Sequence, residues 1–128
     1  MTDRSSGTEG GDDSSIAIPL YEARQRGRDL AVVFQRSELD QILRLYGRMV
    51  AANEWRDYAI DSLPDRAVFS VFRRTSETPL YQIVKNPRLA RLQGIWSVVT
   101  ATGLILKRGH DLARVLQVFD KKLRLVQA

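Results

Sequence analysis

Apolar and polar residues follow patterns along the chain that change from one segment to the next. From Ser37 to Asn53, in "SELDQILRLYGRMVAAN", apolar residues recur at intervals of three and four, the spacing of one face of an α-helix. Ser37 is the predicted N-cap and Asn53 the predicted stop of this helix. Gly47 interrupts it at a cost of about 1 kcal/mol relative to alanine, which a close packing neighbour or a local requirement would explain.

Segments with a period of two predict the strands. The run from Leu30 to Gln35, "LAVVFQ", is rich in β-branched and aromatic residues and predicts a strand before the helix. Two alternating runs flank the turn signal "LPDR" and predict a β-hairpin in which Tyr58 and Ile60 share one face of the first arm. The segment "PLYQIVK" predicts another strand, and a further hairpin is predicted around Thr102-Gly103.

The last segment, "HDLARVLQVFDKKLRLV", places apolar residues on one helical face and predicts a closing helix after a turn at Gly109. Because the strands are grouped instead of alternating strictly with helices, we expect an α+β fold, with a mainly antiparallel sheet of about five strands and two amphipathic helices. Residues 29–128 are predicted to form this single domain. Residues 1–28, rich in Gly, Ser and Asp and then in Arg, are predicted to be a disordered acidic/Arg-rich tail.

Composition restricts the chemistry that the chain can perform. It has 128 residues, no cysteine and one histidine, which excludes disulfides, thiolate-bound zinc, iron–sulfur clusters and cysteine nucleophiles. We expect no metal and no cofactor, because the sequence has no clustered metal ligands and no Walker, Rossmann or nucleophile-elbow motif. No apolar run approaches the ~20 residues of a membrane-spanning helix, and the first residues do not resemble a secretory signal. A cytoplasmic protein without membrane association is therefore expected.

The candidate catalytic residues are His110 and the adjacent carboxylate Asp111. A general base needs an oriented partner and a concave site, and a neighbour in sequence supplies neither. The alternative is that His110 or Asp111 caps the closing helix, and the capping rules favour it. No catalytic residue is assigned on this basis.

The basic residues offer a second candidate site. The formal net charge is +5, and residues 1–29 hold more acidic than basic residues, so the surplus lies in the remainder of the chain. If the loops that carry these cations lie at the same end of the sheet, they form a surface able to hold phosphates, and Tyr81 or Trp96 would stack on bases. The alternative is an ordinary solvated polar face. The candidate anion-binding or nucleic-acid-binding residues are Arg73, Arg74, Arg88, Arg91, Lys107, Arg108, Arg114, Lys121 and Arg124.

The runs "NEWRDYAID", "RAVFSVFRR" and "LKRGHDL" resemble a family of small uncharacterised alphaproteobacterial proteins, a domain of unknown function. The resemblance extends from about Leu30 to Val126 and implies a bacterial cytoplasmic origin. It implies no activity, cofactor or catalytic residue.

These patterns favour a non-enzymatic binding module, a regulatory or adaptor protein that acts on a protein partner through its surface. The alternative is a nucleic-acid-binding protein, or a protein that binds another polyanion, through the basic residues. An enzyme that uses His110 ranks third. A homodimer would be one way to cover a face or edge of the sheet that two helices leave open.

Overall fold

The computed structural model of the chain describes residues 31–74 and 78–121. The predicted tail, residues 1–28, and the candidate residue Arg124 lie outside the described residues. Contacts divide the chain between Ala31 and Val32, and the second unit, Val32–Ala128, holds every element described below. These elements are α1 (Arg36–Ala51), β1 (Asp57–Ser62), β2 (Ala67–Phe72), β3 (Tyr81–Lys85), a 3-10 turn (Pro87–Leu89), β4 (Trp96–Thr100), β5 (Ile105–Gly109) and α2 (Leu112–Leu116).

The five strands form one antiparallel meander in the order β1-β2-β3-β4-β5. The predicted α+β class with an antiparallel five-stranded sheet and two helices is therefore confirmed. Both predicted hairpins are present, and Gly103 adopts the positive φ of +89° that the β4–β5 turn requires. We call the end of the sheet that carries Asp57 and Phe72 the upper end, and the end that carries Lys85 and Trp96 the lower end.

One face of the sheet packs against the helices and forms the core. Phe69, Ile83 and Val98 lie side by side on adjacent strands and are fully buried, in the same cluster as Ile42 and Val115 from the two helices. Burial of each such side chain stabilises the fold by about 1.5–3 kcal/mol. The alternation of the strands thus determines which face the helices cover.

The prediction of a strand from Leu30 to Gln35 is wrong, since residues 31–35 are in no strand. Their polar backbone groups bond outside any ladder: the Val32 N–H donates to the Leu63 carbonyl at 2.9 Å, and the Val33 carbonyl accepts from Lys85 Nζ at 2.9 Å. The Phe34 ring stacks on Trp96, with centroids 6.1 Å apart. The apolar pattern of this run therefore reflects anchoring across the lower end of the sheet.

A buried ion pair ties this entry segment to the core. Lys85 Nζ donates to Glu38 Oε1 at 2.7 Å, and the two side chains are 11% and 17% exposed. Lys85 also lies 5.9 Å from the centre of the Trp96 ring. The same Glu38 oxygen accepts from the Gln35 N–H at 2.7 Å and completes a capping box. Gln35 is thus the N-cap of α1, and the prediction of Ser37 is wrong because Glu38, at the third helical position, can reach back to Gln35.

The closing helix is interrupted at Gln117, within its predicted span. The helix α2 ends at Leu116, Gln117 forms the C-cap, and a further helical turn covers residues 118–121. Phe119 in that turn is fully buried, with its ring edge-on to Trp55 at 5.0 Å. The apolar spacing therefore continues past the end of α2, because the turn after it still packs on the core.

Candidate functional site

A cleft of about 540 Å³ opens at the upper end of the sheet, where α1, β1 and β2 meet. We call it the arginine cleft, because three arginines contribute to its walls. It is lined by Arg56, Arg73 and Arg74 together with Val50, Asn53, Glu54 and Trp55. Two of the predicted anion-binding residues, Arg73 and Arg74, therefore lie in one concave site.

The end of α1 shapes one wall of the arginine cleft. Asn53 has a φ of +65°, so it takes the left-handed conformation that ends many helices. The Asn53 N–H donates to the Val50 carbonyl and the Glu54 N–H to the Met49 carbonyl, each at 2.9 Å, which is the hydrogen-bond pattern of a Schellman motif. The prediction of Asn53 as the helix stop is confirmed. Because this motif satisfies the last carbonyls of the helix, they present less negative potential to the cleft.

The pairing of β1 with β2 brings the arginines together. Asp57 is the register partner of Phe72, and the Arg56 N–H extends this contact by donating to the Phe72 carbonyl at 2.8 Å. Arg56 therefore lies beside Phe72, the last residue of β2, and Phe72 is followed in the chain by Arg73 and Arg74. Arg56 was not among the candidate residues selected from the sequence. The hairpin it predicted does contain the signal, because pairing the two arms about "LPDR" places residues 56 and 73 opposite each other.

The charge of the arginine cleft is positive on balance. Glu54 is the acidic residue among its lining residues, and its Oε1 lies 3.7 Å from Arg73 Nη2. Within the described ranges, neither Arg56 nor Arg74 forms an ion pair with a carboxylate. A guanidinium group binds carboxylate or phosphate oxygens with two parallel hydrogen bonds. Among the described residues, the cleft thus offers two guanidinium groups without a carboxylate partner and one that lies beside the half-buried carboxylate of Glu54.

The other predicted basic residues do not join the arginine cleft. Arg88 and Arg91 lie exposed in the connection between β3 and β4, which is at the lower end of the sheet. Lys107 and Arg108 lie in the lower half of β5, on the edge opposite β1. Among the described residues, the topology therefore divides these basic residues between the two ends of the sheet, and they do not converge on the single surface that the nucleic-acid prediction requires.

The two remaining members of the predicted set that the structure describes, Arg114 and Lys121, lie on the helical layer. Arg114 is exposed and lies 3.9 Å from the carboxylate of Asp111. Lys121 is exposed two residues after the buried Phe119. Of the two rings proposed to stack on bases, Trp96 is only 2% exposed, and Tyr81 packs against Trp55 and Phe119. Trp96 cannot reach a base, because the core encloses it.

His110 and Asp111 lie at the lower end, after β5. The Asp111 carboxylate accepts a hydrogen bond from the Ala113 N–H at 3.0 Å and caps α2, so the capping interpretation is confirmed for Asp111. His110 is exposed, and its backbone nitrogen borders Gly94, where an added Cβ would overlap the backbone of Gly109. Within residues 31–74 and 78–121, no group of three or more His, Asp and Glu side chains could hold a metal ion.

Comparison with known proteins gives a family. A family model described as "Protein of unknown function (DUF2794)" matches residues 32–116, which is more than half of the 128-residue chain. No curated protein and no solved structure matches the chain. No helix in the described part of the chain has the length and apolarity to cross a membrane. The resemblance to a family of unknown function is confirmed by this match, and the chain belongs to the DUF2794 family.

Proposed function

We propose that this protein is a non-enzymatic binding module of the bacterial cytoplasm that holds an anionic group of its partner in the arginine cleft. The observation that supports the proposal is the convergence of Arg56, Arg73 and Arg74 on one cleft that also contains a single carboxylate, Glu54. A regulatory or adaptor role requires a surface that recognises a partner, and the arginine cleft provides both shape and charge for this purpose.

The chemistry of arginine determines the group that the cleft would bind. A guanidinium remains charged at every physiological pH and is more weakly hydrated than an ammonium group, so it loses less on contact with a ligand. Arg73, held near Glu54, is already partly oriented, which lowers the entropic cost of binding. A carboxylate or phosphate oxygen that accepts hydrogen bonds from Arg56 and Arg74 would complete the set.

Nucleic-acid binding is the second candidate function, and the net charge of +5 favours it. The division of the basic residues between the two ends of the sheet and the burial of Trp96 count against a continuous binding track. Nucleic-acid binding predicts an affinity that falls steeply with salt and that depends equally on the cations at both ends. A site confined to the arginine cleft predicts dependence on Arg56, Arg73 and Arg74 and no dependence on Arg88 and Arg91.

The test is a titration of the full chain with inorganic phosphate, monitored by NMR through the arginine side-chain Nε–Hε resonances. We expect saturable shifts for Arg56, Arg73 and Arg74, and we expect the double variant Arg73→Ala/Arg74→Ala to abolish them for Arg56. The double variant Arg88→Ala/Arg91→Ala is the matched control, since it removes the same charge from exposed positions at the lower end. It should leave the shifts unchanged.

Two outcomes would overturn the proposal. Shifts that never saturate, or that are equal at every arginine, would mean that phosphate only screens the surface charge. Fluorescence anisotropy with labelled single-stranded and double-stranded oligonucleotides forms the second arm. Binding that weakens equally in both double variants would favour the nucleic-acid function instead.

A further inference from the structure

A row of exposed and half-buried apolar side chains lies between α1 and the edge strand β1 and leads to the arginine cleft. The Tyr46 side chain on α1 reaches this strand, where its ring is edge-on to Tyr58 with centroids 4.9 Å apart. Leu43 and Val50 lie one turn before and one turn after Tyr46, on the same side of the helix. Ile60 follows Tyr58 on the same face of β1. We call these five residues, Leu43, Tyr46, Val50, Tyr58 and Ile60, the β1 groove.

The side chains of the β1 groove are open to solvent to an unusual degree for apolar residues. Val50, Tyr58 and Ile60 are 40%, 41% and 43% exposed, and Leu43 and Tyr46 are half-buried. β1 is an edge strand, because its other side pairs with β2 and no described strand follows beyond it. A contiguous apolar surface of this kind on a small protein is characteristic of a site for another molecule.

The base of the groove is rigid. Tyr58 stacks on the fully buried Phe69, with centroids 4.9 Å apart and ring planes inclined by 11°. Tyr46 contacts the same Phe69 ring edge-on at 6.2 Å. Because the core already holds these rings in place, binding a partner would cost little conformational entropy at these side chains.

The groove and the arginine cleft share Val50, which lines both. A molecule lying in the groove therefore meets Arg56, Arg73 and Arg74 at the upper end. We infer that the two sites form one surface, and that it takes a short protein segment with apolar side chains for the β1 groove, followed by an acidic residue for the arginine cleft. This inference rests on the proposed function and names the class of its partner.

Charge favours a protein segment over the other occupants. Asp57 and Asp61 lie on β1 itself, on the face away from the groove, and would repel a phosphodiester backbone that followed this edge. A second copy of this chain would bring a second set of the same three arginines to the surface. An aspartate or glutamate near apolar residues instead complements the cleft and the groove at the same time.

The test begins with selection of a random dodecapeptide phage library on the immobilised full chain. We expect the enriched peptides to share apolar residues followed by aspartate or glutamate. A synthetic peptide of the enriched sequence, measured by isothermal titration calorimetry, should bind the Ile60→Asp variant about tenfold more weakly or worse. The Arg73→Ala/Arg74→Ala variant should show a similar loss, because it removes the partners of the acidic residue.

The chain supplies a closely matched control. Ile105 is exposed to the same degree as Ile60, 43%, and lies on β5, the opposite edge strand. The Ile105→Asp variant should bind the peptide as well as the wild type does. The Val50→Asp variant, on the exposed side of α1, provides a second test of the groove if Ile60→Asp proves unfolded by circular dichroism.

Several results would overturn this inference. They are a selection without enrichment, enriched peptides that lack an acidic residue, and a peptide that binds Ile60→Asp or Val50→Asp as tightly as the wild type. A wild-type dimer in sedimentation analysis that Ile60→Asp dissociates would assign the groove to a second copy. An oligonucleotide whose binding Ile60→Asp abolishes would assign it to nucleic acid. If phosphate binds the cleft but no peptide binds, only this inference is refuted. If phosphate does not bind the cleft, the proposed function is refuted as well.

Discussion

Removing the positive charge of Lys85 should destabilise the protein more than any exposed charge substitution. In the variant Lys85→Met the side chain keeps most of its length but loses the ammonium group, which lies 5.9 Å from the centre of the Trp96 ring. The Glu38 carboxylate then remains only 17% exposed without its cation, and the Val33 carbonyl loses its donor. A charge left unpaired in a partly buried position is the main cost of such a substitution.

The magnitude follows from the contacts. The charged hydrogen bond at 2.7 Å from Lys85 Nζ to Glu38 Oε1 contributes about 1.5–3 kcal/mol. The bond to the Val33 carbonyl at 2.9 Å contributes about 1 kcal/mol, and the contact with the Trp96 ring about 0.5–1 kcal/mol. We expect Lys85→Met to lower the free energy of unfolding by about 3 kcal/mol, near the lower limit measured for breaking buried pairs. We expect a value near this lower limit because both side chains are slightly exposed, at 11% and 17%, so water partly solvates the charge that is left.

The assay is urea unfolding monitored by tryptophan fluorescence, which reports on the two buried tryptophans, Trp55 and Trp96. A double-mutant cycle with Glu38→Gln isolates the pair, because glutamine can still accept from the Gln35 N–H in the capping box. The double variant should be more stable than Lys85→Met alone, with a coupling energy of about 1.5–2 kcal/mol. Arg66→Met is the control: Arg66 pairs with Asp65 at 3.1 Å, but the two side chains are 45% and 38% exposed, so the loss should stay below about 0.5 kcal/mol. Additive single effects, or a loss in Lys85→Met no larger than in Arg66→Met, would refute this reasoning.

Three further predictions test other parts of the fold. Gly94→Ala should lower the free energy of unfolding in urea by at least about 2 kcal/mol, because φ is +100° and the new Cβ would overlap Gly109 and lie 2.7 Å from the His110 nitrogen. A loss of stability no larger than that of an ordinary surface substitution would contradict this expectation. Gly47→Ala should stabilise the protein by about 1 kcal/mol, since the added Cβ meets no atom within 4 Å outside the neighbouring backbone of its own helix, and a destabilised variant would contradict this reasoning. Burial, with smaller contributions from Asp57 and Tyr58, raises the pKa of Tyr46, so its tyrosinate absorbance, taken as wild type minus Tyr46→Phe, should appear at higher pH than that of a free tyrosine. The folded state therefore holds this proton longer than the unfolded chain, whose tyrosines titrate near pH ~10, and the resulting stability is lost as the pH rises through the folded pKa; titration of Tyr46 at or below the ordinary value would contradict the assignment.

Local patterns predicted most of the elements because each depends on residues close in sequence. The three-and-four spacing around Leu45 predicted α1, and the two turn signals predicted both hairpins, including the positive φ of Gly103. The run at residues 31–35 was predicted as a strand and is not one. Its apolar side chains satisfy the strand pattern, yet its backbone groups bond to Leu63 and Lys85, and a sequence pattern cannot specify such distant partners.

The candidate site depended more strongly on tertiary structure. The sequence identified Arg73 and Arg74 as possible anion-binding residues, but it selected them together with Arg88 and Arg91, which the meander places at the opposite end of the sheet. Arg56 became part of the site only through the register of β1 with β2. Lys85 carried no signal at all, because a lysine in an apolar strand is ordinarily exposed. Its burial requires the carboxylate of Glu38, which lies 47 positions earlier in the chain.

By itself, the sequence determined the α+β class, a mainly antiparallel sheet, the helix end at Asn53, a helix cap at His110 or Asp111, and the absence of cysteine chemistry, since these follow from local periodicity, capping and composition. Tertiary structure alone decided which arginines share a cleft, which apolar residues remain open beside β1, and which charge is buried. The physical reason is that charge and exposure depend on neighbours in space, and strand register and helix placement choose those neighbours from distant parts of the chain.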